Sequence, residues 1–202
     1  MSVEEYLAGE KDSPVRHEYI DGQVYAMAGA SDRHNRIALN LASRLNDHLA
    51  GGPCEVFISD MKLQNDEKIF YYPDVVVTCD PAGADAYYRR EPRLIVEVIS
   101  PSTERIDRHE KMAAYKNMDT LQEYVLVMQD HIWIEVHRRE GDEWKLESYS
   151  QADEQVVFDS VGLRMSVEDI YRNVRWGPTD AHVQESEVGG RDSGKETLNP
   201  DP

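Results

Sequence analysis

Basic residues are scarce in this chain. Twenty-two Lys and Arg stand against 39 Asp and Glu, a formal net charge of −17 at pH 7. Nucleic-acid binders usually carry a basic patch, because neutralising phosphates supplies most of their affinity. A chain this acidic that acts on DNA or RNA must therefore do so through a local site, with metal ions offsetting the phosphate charge. Cysteine is scarcer still: Cys54 and Cys79 are the only two, and both lie in apolar, strand-like stretches. They read as small core residues rather than as a disulfide or redox pair. No apolar run approaches the roughly 20 residues of a membrane span. The opening residues Met1 to Tyr6 are acidic and lack a basic-then-apolar signal pattern. A soluble protein of the reducing cytoplasm is expected, with no membrane partner. No Gly-x-Ser-x-Gly or Cys-His signature is present, so acid–base hydrolysis by His34 with Glu18 would lack a positioned nucleophile.

With 202 residues, 40% of them apolar, the chain can bury one good core, so a single domain over residues 1–175 is expected. Beyond Trp176 no periodicity remains, and Gly, Ser, Pro and acids dominate. Residues 176–202 read as a disordered acidic tail, of which 177–202 contributes −4 to the net charge through six acids and two bases. There is no internal repeat. A short capped helix is expected over 2–9, stopped by Gly9. A hairpin follows, with arms at 16–20 and 23–27 around Asp21-Gly22. The helix expected from Asp32 to Leu49 carries an apolar stripe of Ile37, Ala38, Leu41, Leu45 and Leu49. Strands are expected at 55–64, 69–78, 93–100 and 123–128, with a helix over 103–118 between the last two. Residues 131–136 alternate as a half-exposed strand with His131 and His137 outward, and 144–149 completes a hairpin with it. A short strand at 157–163 and a capped helix at 166–171 close the domain. The fold class is α+β (mixed α/β), with a helix-strand-strand-strand-helix-strand core in one curved sheet.

Two of these runs carry a chemical anomaly. Tyr72-Pro73-Asp74-Val75-Val76-Val77 and Leu94-Ile95-Val96-Glu97-Val98-Ile99-Ser100 are β-branched and almost wholly apolar, as strands buried on both faces are. Each nonetheless contains one carboxylate, and an ionised carboxylate there costs several kcal/mol unless a cation or strong donors meet it. Neither run contains a basic residue, which points to a bound metal. The alternative is that Asp74 caps a turn after Pro73 while Glu97 pairs with a distant Arg. His34 shares the apolar stripe of the first long helix and so points inward from its first turn. It is either a core histidine satisfied by a carbonyl or a residue of the site. In the second long helix Asp107, Lys111 and Tyr115 repeat every four residues on one face, as an exposed ion pair or as part of the same site.

Taken in order, His17-Glu18-Tyr19-Ile20-Asp21-Gly22, His34, Tyr72-Pro73-Asp74-Val75-Val76-Val77, Glu97-Val98-Ile99-Ser100-Pro101-Ser102-Thr103, Asp107 with Lys111 and Tyr115, and Glu123-Tyr124-Val125 form a specific pattern. It resembles the Uma (Uma two) family of the PD-(D/E)xK superfamily, the restriction-endonuclease-like fold, over about residues 2–174. The resemblance implies a Mg²⁺- or Mn²⁺-dependent endonuclease acting on DNA or another nucleic acid. Asp74, Glu97 and the backbone carbonyl of Val98 would be the metal ligands, and Glu18 an additional acid from an N-terminal element. The lysine that the superfamily places two residues after the Glu is Ile99 here, with Lys111 expected to substitute and Lys62 the second candidate. The resemblance also implies a homodimer, for which the C-terminal strands with Trp133 and Trp144 offer an interface. The alternative reading is a nuclease fold kept as a non-catalytic binding or assembly module.

Overall fold

The computed structural model describes residues 1–79, 85–101 and 103–176. In chain order these form α1 (Val3–Lys11), β1 (His17–Ile20), β2 (Gln23–Ala26), α2 (Asp32–Leu49), β3 (Glu55–Ile58), β4 (Lys62–Asp66), β5 (Ile69–Tyr71), β6 (Val75–Thr78), β7 (Tyr88–Arg89) and β8 (Pro92–Ile99). A π-helical segment (Ile106–Lys111) then runs into α3 (Met112–Lys116). It is followed by β9 (Glu123–Met128), β10 (Ile134–Glu140), β11 (Glu143–Tyr149), β12 (Gln155–Phe158), β13 (Leu163–Ser166) and α4 (Val167–Ile170). The mixed α+β class expected from the sequence is what is found, but the expected single curved sheet is three sheets. A six-stranded sheet has the order β11-β10-β9-β8-β6-β3, a five-stranded sheet the order β2-β1-β5-β4-β7, and β12 pairs with β13.

Two expected long strands are each broken, and the breaks divide the sheets. The run 55–64 splits into β3 and β4 at Ser59, whose φ of 38° lies in the left-handed region. The run 69–78 splits into β5 and β6 at Tyr72-Pro73-Asp74, where proline cannot donate to a ladder. In both cases the chain passes from one sheet to the other. The strand expected at 157–163 is instead the hairpin β12–β13, and α1 continues through Gly9 to Lys11. The tail assigned to 176–202 lies, beyond Trp176, outside the described residues.

The core has two layers on opposite faces of the six-stranded sheet. On one face Ile37, Leu41 and Leu45 of α2 pack against Val75, Val77, Leu94, Val96 and Val98, joined by the β12–β13 hairpin and α4. On the other, Ile95, Ile99, Leu126 and Tyr124 meet Tyr115 of α3 and Leu63 and Tyr71 of the five-stranded sheet. α1 covers the far side of that smaller sheet through Tyr6, Tyr19 and Phe70. Local chemistry sets the boundaries. Ser2 and Glu5 form a capping box, Ser31 caps α2 by accepting from His34 N–H, and Asp21-Gly22 turns the first hairpin with φ of 47° and 91°.

Two sequence expectations are overturned. Cys54 and Cys79 form a disulfide, with Cα atoms 3.9 Å apart. The β3–β6 register pairs Glu55 with Thr78, so the cysteines are the next opposed pair, a relation invisible until the strands are aligned. Disulfides are rare in reducing cytoplasm, so the cytoplasmic expectation loses the support it drew from two free thiols. No described helix is long and apolar enough to cross a membrane. His137, expected on the surface, is buried at 8% exposure, because β10 is an interior strand and Lys116 Nζ sits 3.2 Å from its Nδ1.

Two polar fastenings hold the layers. Asn40 of α2 donates to the carbonyls of Ile170 and Arg172, both at 2.9 Å. Arg108 of the π-helical segment reaches Glu135 on β10 at 2.6 Å, and Trp133 Nε1 donates to the same carboxylate at 2.9 Å. His137, whose Nε2 is 3.8 Å away, and the Arg108 guanidinium hold the Glu135 carboxyl down at about 2. A depressed acid contributes stability above its ordinary value, and that contribution is lost as pH falls toward the depressed one. Glu135→Gln is thus expected to destabilise at neutral pH and to lose less further stability than wild type between pH 4.5 and 2, read by urea titration at each pH. Asn40→Ala should cost about 1–3 kcal/mol in the same assay, because two buried carbonyls lose their donor.

Candidate active site

The β6–β8 register places Val75 opposite Val96, so Asp74 and Glu97 are the next pair along. Their backbones and carboxylates interlock. Val98 N–H donates to Asp74 Oδ2 at 2.7 Å, and Asp74 N–H to Glu97 Oε2 at 3.3 Å. Glu97 alternates with Ile95 and Ile99 and therefore faces the layer that contains α3. The two acids meet just before β6 begins rather than on opposite faces, and among the described residues neither is paired with an arginine.

Their partners come from three other elements. His34, in the first turn of α2, sets Nε2 2.8 Å from Asp74 Oδ1. Lys111 ends the π-helical segment with its Nζ among three carboxylates: Glu18 of β1 at 2.9 Å, Glu97 at 3.3 Å and Asp107 at 3.4 Å. Tyr115 donates to Glu97 Oε1 at 3.2 Å from the next turn. Every residue expected at the site (Asp74, Glu97, Lys111, Glu18 and His34) is thus gathered in one place, with Asp107 and Tyr115. Lys62, the second lysine candidate, is elsewhere: its Nζ lies 3.4 Å from the Tyr72 hydroxyl, which donates to Glu10. Val98 is present too, although the contact seen is its N–H rather than its carbonyl.

The alternative of an exposed 107–111 ion pair is excluded by burial, for the side chains of Asp107 and Lys111 are 5% and 9% exposed. The local reason is the π-helical segment, a rare wide turn typical of functional sites. The i and i+4 residues of this turn both point inward, and Tyr124 fixes it by donating to the Asp107 carbonyl at 3.0 Å. Tyr124 belongs to the family pattern without a role of its own, whereas Tyr71, whose ring lies 5.6 Å from Lys111 Nζ, escaped sequence reading because an aromatic in an apolar run reads only as core.

Exposure divides the site. Glu97, Asp107, Lys111 and Tyr115 make a floor, while the side chains of Glu18, Asp74 and His34, 15–17% exposed, form the mouth. Burial pushes the Glu97 carboxyl well above its ordinary value. Lys111 opposes this, and Asp107, Asp74 and Glu18 add to it. Burial likewise raises Asp107. On Lys111, burial acts to lower the ammonium, but Glu97, Glu18 and Asp107 outweigh it and hold the group charged, above its ordinary value. The four carboxylates meet one ammonium and one imidazole. The site can therefore take up more positive charge, and oxygen donors suit a hard dication. Among the described residues, no three His, Cys, Asp or Glu side chains are already arranged around a common metal position.

Residues 3–168 match the family model of Uma2, described as "Putative restriction endonuclease". The uncharacterized protein slr1290 of Synechocystis sp. is 40% identical over 177 residues, covering 86% of this chain and 93% of its own length. A second uncharacterized protein of that organism, sll1609, is 32% identical over 163 residues, covering 78% of this chain and 92% of its own. In three dimensions the fold resembles the crystal structure of a "putative nuclease belonging to DUF820" from Anabaena variabilis. The TM-score is 0.68 at 18% identity, covering 85% of this chain and 97% of that one. The fold is restriction-endonuclease-like, and with the family model spanning the strands, the π-helical segment and every carboxylate of the site, the chain belongs to the Uma2 family.

Proposed function

We propose that this protein is a Mg²⁺- or Mn²⁺-dependent endonuclease that hydrolyses phosphodiester bonds in nucleic acid, DNA in the first place. The observation that carries the reading is the meeting of Asp74 and Glu97 across paired strands, beside a lysine held charged among three carboxylates. The donor set fits the ion. Mg²⁺ keeps several waters and needs only one or two protein carboxylates besides substrate phosphate, so a ready-made three-residue cluster is not required. Asp74 and Glu97 would hold it, with the Val98 carbonyl as a further oxygen. Once bound, it would polarise the scissile phosphate and lower the pKa of a bound water.

The chain's own side chains supply the remaining steps. Water oxygen forms the new bond to phosphorus, the bond to the leaving sugar oxygen breaks, and that oxygen is protonated from solvent. Glu18, at the mouth, accepts the proton of the attacking water. Lys111 donates to a non-bridging phosphate oxygen, offsetting the charge that grows in the transition state. His34 orients Asp74. A homodimer that brings two such sites to one duplex belongs to the same proposal, with the edge strand β11 and its exposed Leu146 as the pairing surface.

One observation favours a second reading, a binding or assembly module. Lys111 already bridges three carboxylates, and Ile99 is buried at 3% exposure where the superfamily pattern has its lysine. The two readings part on turnover. Under the first, Asp74→Asn and Glu97→Gln lower cleavage at least ~100-fold on whichever of single-stranded, duplex or branched DNA the wild type cuts, and weaken Mn²⁺ binding by calorimetry. Wild-type rates in both variants would overturn the site. Mn²⁺ binding without turnover on any of these forms would establish the module. Independently, Lys111→Met should destabilise the metal-free protein by about 3–5 kcal/mol in urea unfolding, because buried carboxylates lose their counter-charge. Saturating Mg²⁺ should restore part of that loss.

A further inference from the structure

A chain of net charge −17 repels a phosphate backbone, so a nuclease built from it needs a cationic surface close to the site. One cleft answers that need. It has a volume of about 590 Å³ and lies between the start of α2 and the chain after α4, lined by Asp32, Arg33, Arg36, Asn173, Val174 and Arg175. We propose that this cleft seats the phosphodiester backbone of the nucleic-acid strand flanking the scissile bond, a proposal that rests on the nuclease reading above.

The cleft is built rather than incidental. Arg33 and Arg36 leave one face of α2, one turn apart, and Asn40 continues that face. Asn40 fixes the opposite wall through its bonds to the Ile170 and Arg172 carbonyls. Asn173 turns the chain with a φ of 64°, Val174 packs on the core, and the Trp176 ring rests on Tyr171 at 5.6 Å. Arg175 is thereby presented from a fixed segment. The described lining holds three guanidiniums and one acid, and the Asp32 carboxylate is turned back to its own helix, accepting from Arg33 N–H at 2.8 Å. Among the described residues neither Arg36 nor Arg175 has a carboxylate partner. Guanidiniums bind phosphate oxygens in bidentate fashion, and the cleft is larger than one phosphate needs, so a run of backbone suits it better than an isolated anion. It shares the first turn of α2 with the site: Arg33 and His34 are consecutive there, and the His34 imidazole touches Asp74.

The test is fluorescence anisotropy of a short labelled DNA, single-stranded and duplex. It uses the full chain with Ca²⁺ in place of Mg²⁺ and a series of salt concentrations. Arg36→Glu with Arg175→Glu should raise Kd at least ~10-fold and flatten the salt dependence by about two phosphate contacts, at unchanged thermal stability, since both side chains are exposed. Arg164→Glu, exposed on β13, should bind as wild type. If wild type binds and cuts DNA but the double variant binds with the same Kd and slope, the cleft proposal falls alone. It falls alone, too, if the double variant binds more tightly, as it would were the cleft a seat for the acidic segment 177–202. A wild type that binds no DNA at any salt sinks the nuclease reading and this proposal together.

Discussion

The structure depends on one buried ammonium. Lys111 Nζ is shared by Glu18, Glu97 and Asp107, which arrive from the five-stranded sheet, the six-stranded sheet and the π-helical segment. Three carboxylates brought together in a largely buried place repel one another, and the cation between them offsets that repulsion. The lysine therefore does two things through one contact. It ties three separate pieces of backbone to a common point, and it keeps acids at a density that no core would otherwise accept. Asp74 stands just outside this triad, met by His34 and by the Val98 amide.

The rest of the fold reads as the means of holding that point. Pro73 ends one ladder and lets the chain change sheets, which puts Asp74 at the open end of β6 instead of inside it. The β6–β8 register then fixes Glu97 beside it. Arg108, next to Asp107, clamps the π-helical segment to β10 through Glu135, so the wide turn that aims Asp107 and Lys111 inward is braced on its outer side. A second buried pair does comparable work far from the site. Glu123, fully buried, receives Arg138 and the amides of Asp159 and Ser160, and so anchors the β12–β13 hairpin to the large sheet. Its lack of any exposed face separates it from the mouth of the site, where Glu18, Asp74 and His34 remain within reach of solvent.

Much of this was legible in the residues, and what was not has definite causes. A carboxylate in an apolar β-branched run is a conflict between pattern and chemistry, and both such conflicts, at Asp74 and Glu97, lead to the site. The inward aim of His34 followed from helical periodicity alone. Glu18 could not be derived this way: His17 to Ile20 reads as an ordinary hairpin arm, and only resemblance to a family singled it out. The breaks at Ser59 and at Pro73 were hidden because β-propensity runs straight across them, while the decision to leave the sheet is a tertiary one. Periodicity cannot distinguish a π-turn from an α-helix over six residues, so Asp107 and Lys111 looked equally like a solvated pair. The disulfide was missed for a related reason: its two cysteines acquire a relation only through the strand register.

The acidic composition is better understood as a division of labour than as an objection to nucleic acid. The acids around Lys111 are turned inward, where salt screens them less than it screens surface charges. Arg36 at the start of α2 and Arg175 after α4 are exposed, and with Arg33 they line a cleft that begins at the helix turn carrying His34. Field strength at a phosphate approaching such a cleft is set by charges within about a Debye length, roughly 8–10 Å, and not by the total over the molecule. A strongly negative chain can thus present a locally attractive edge to a strand while its general repulsion disfavours contacts made anywhere else.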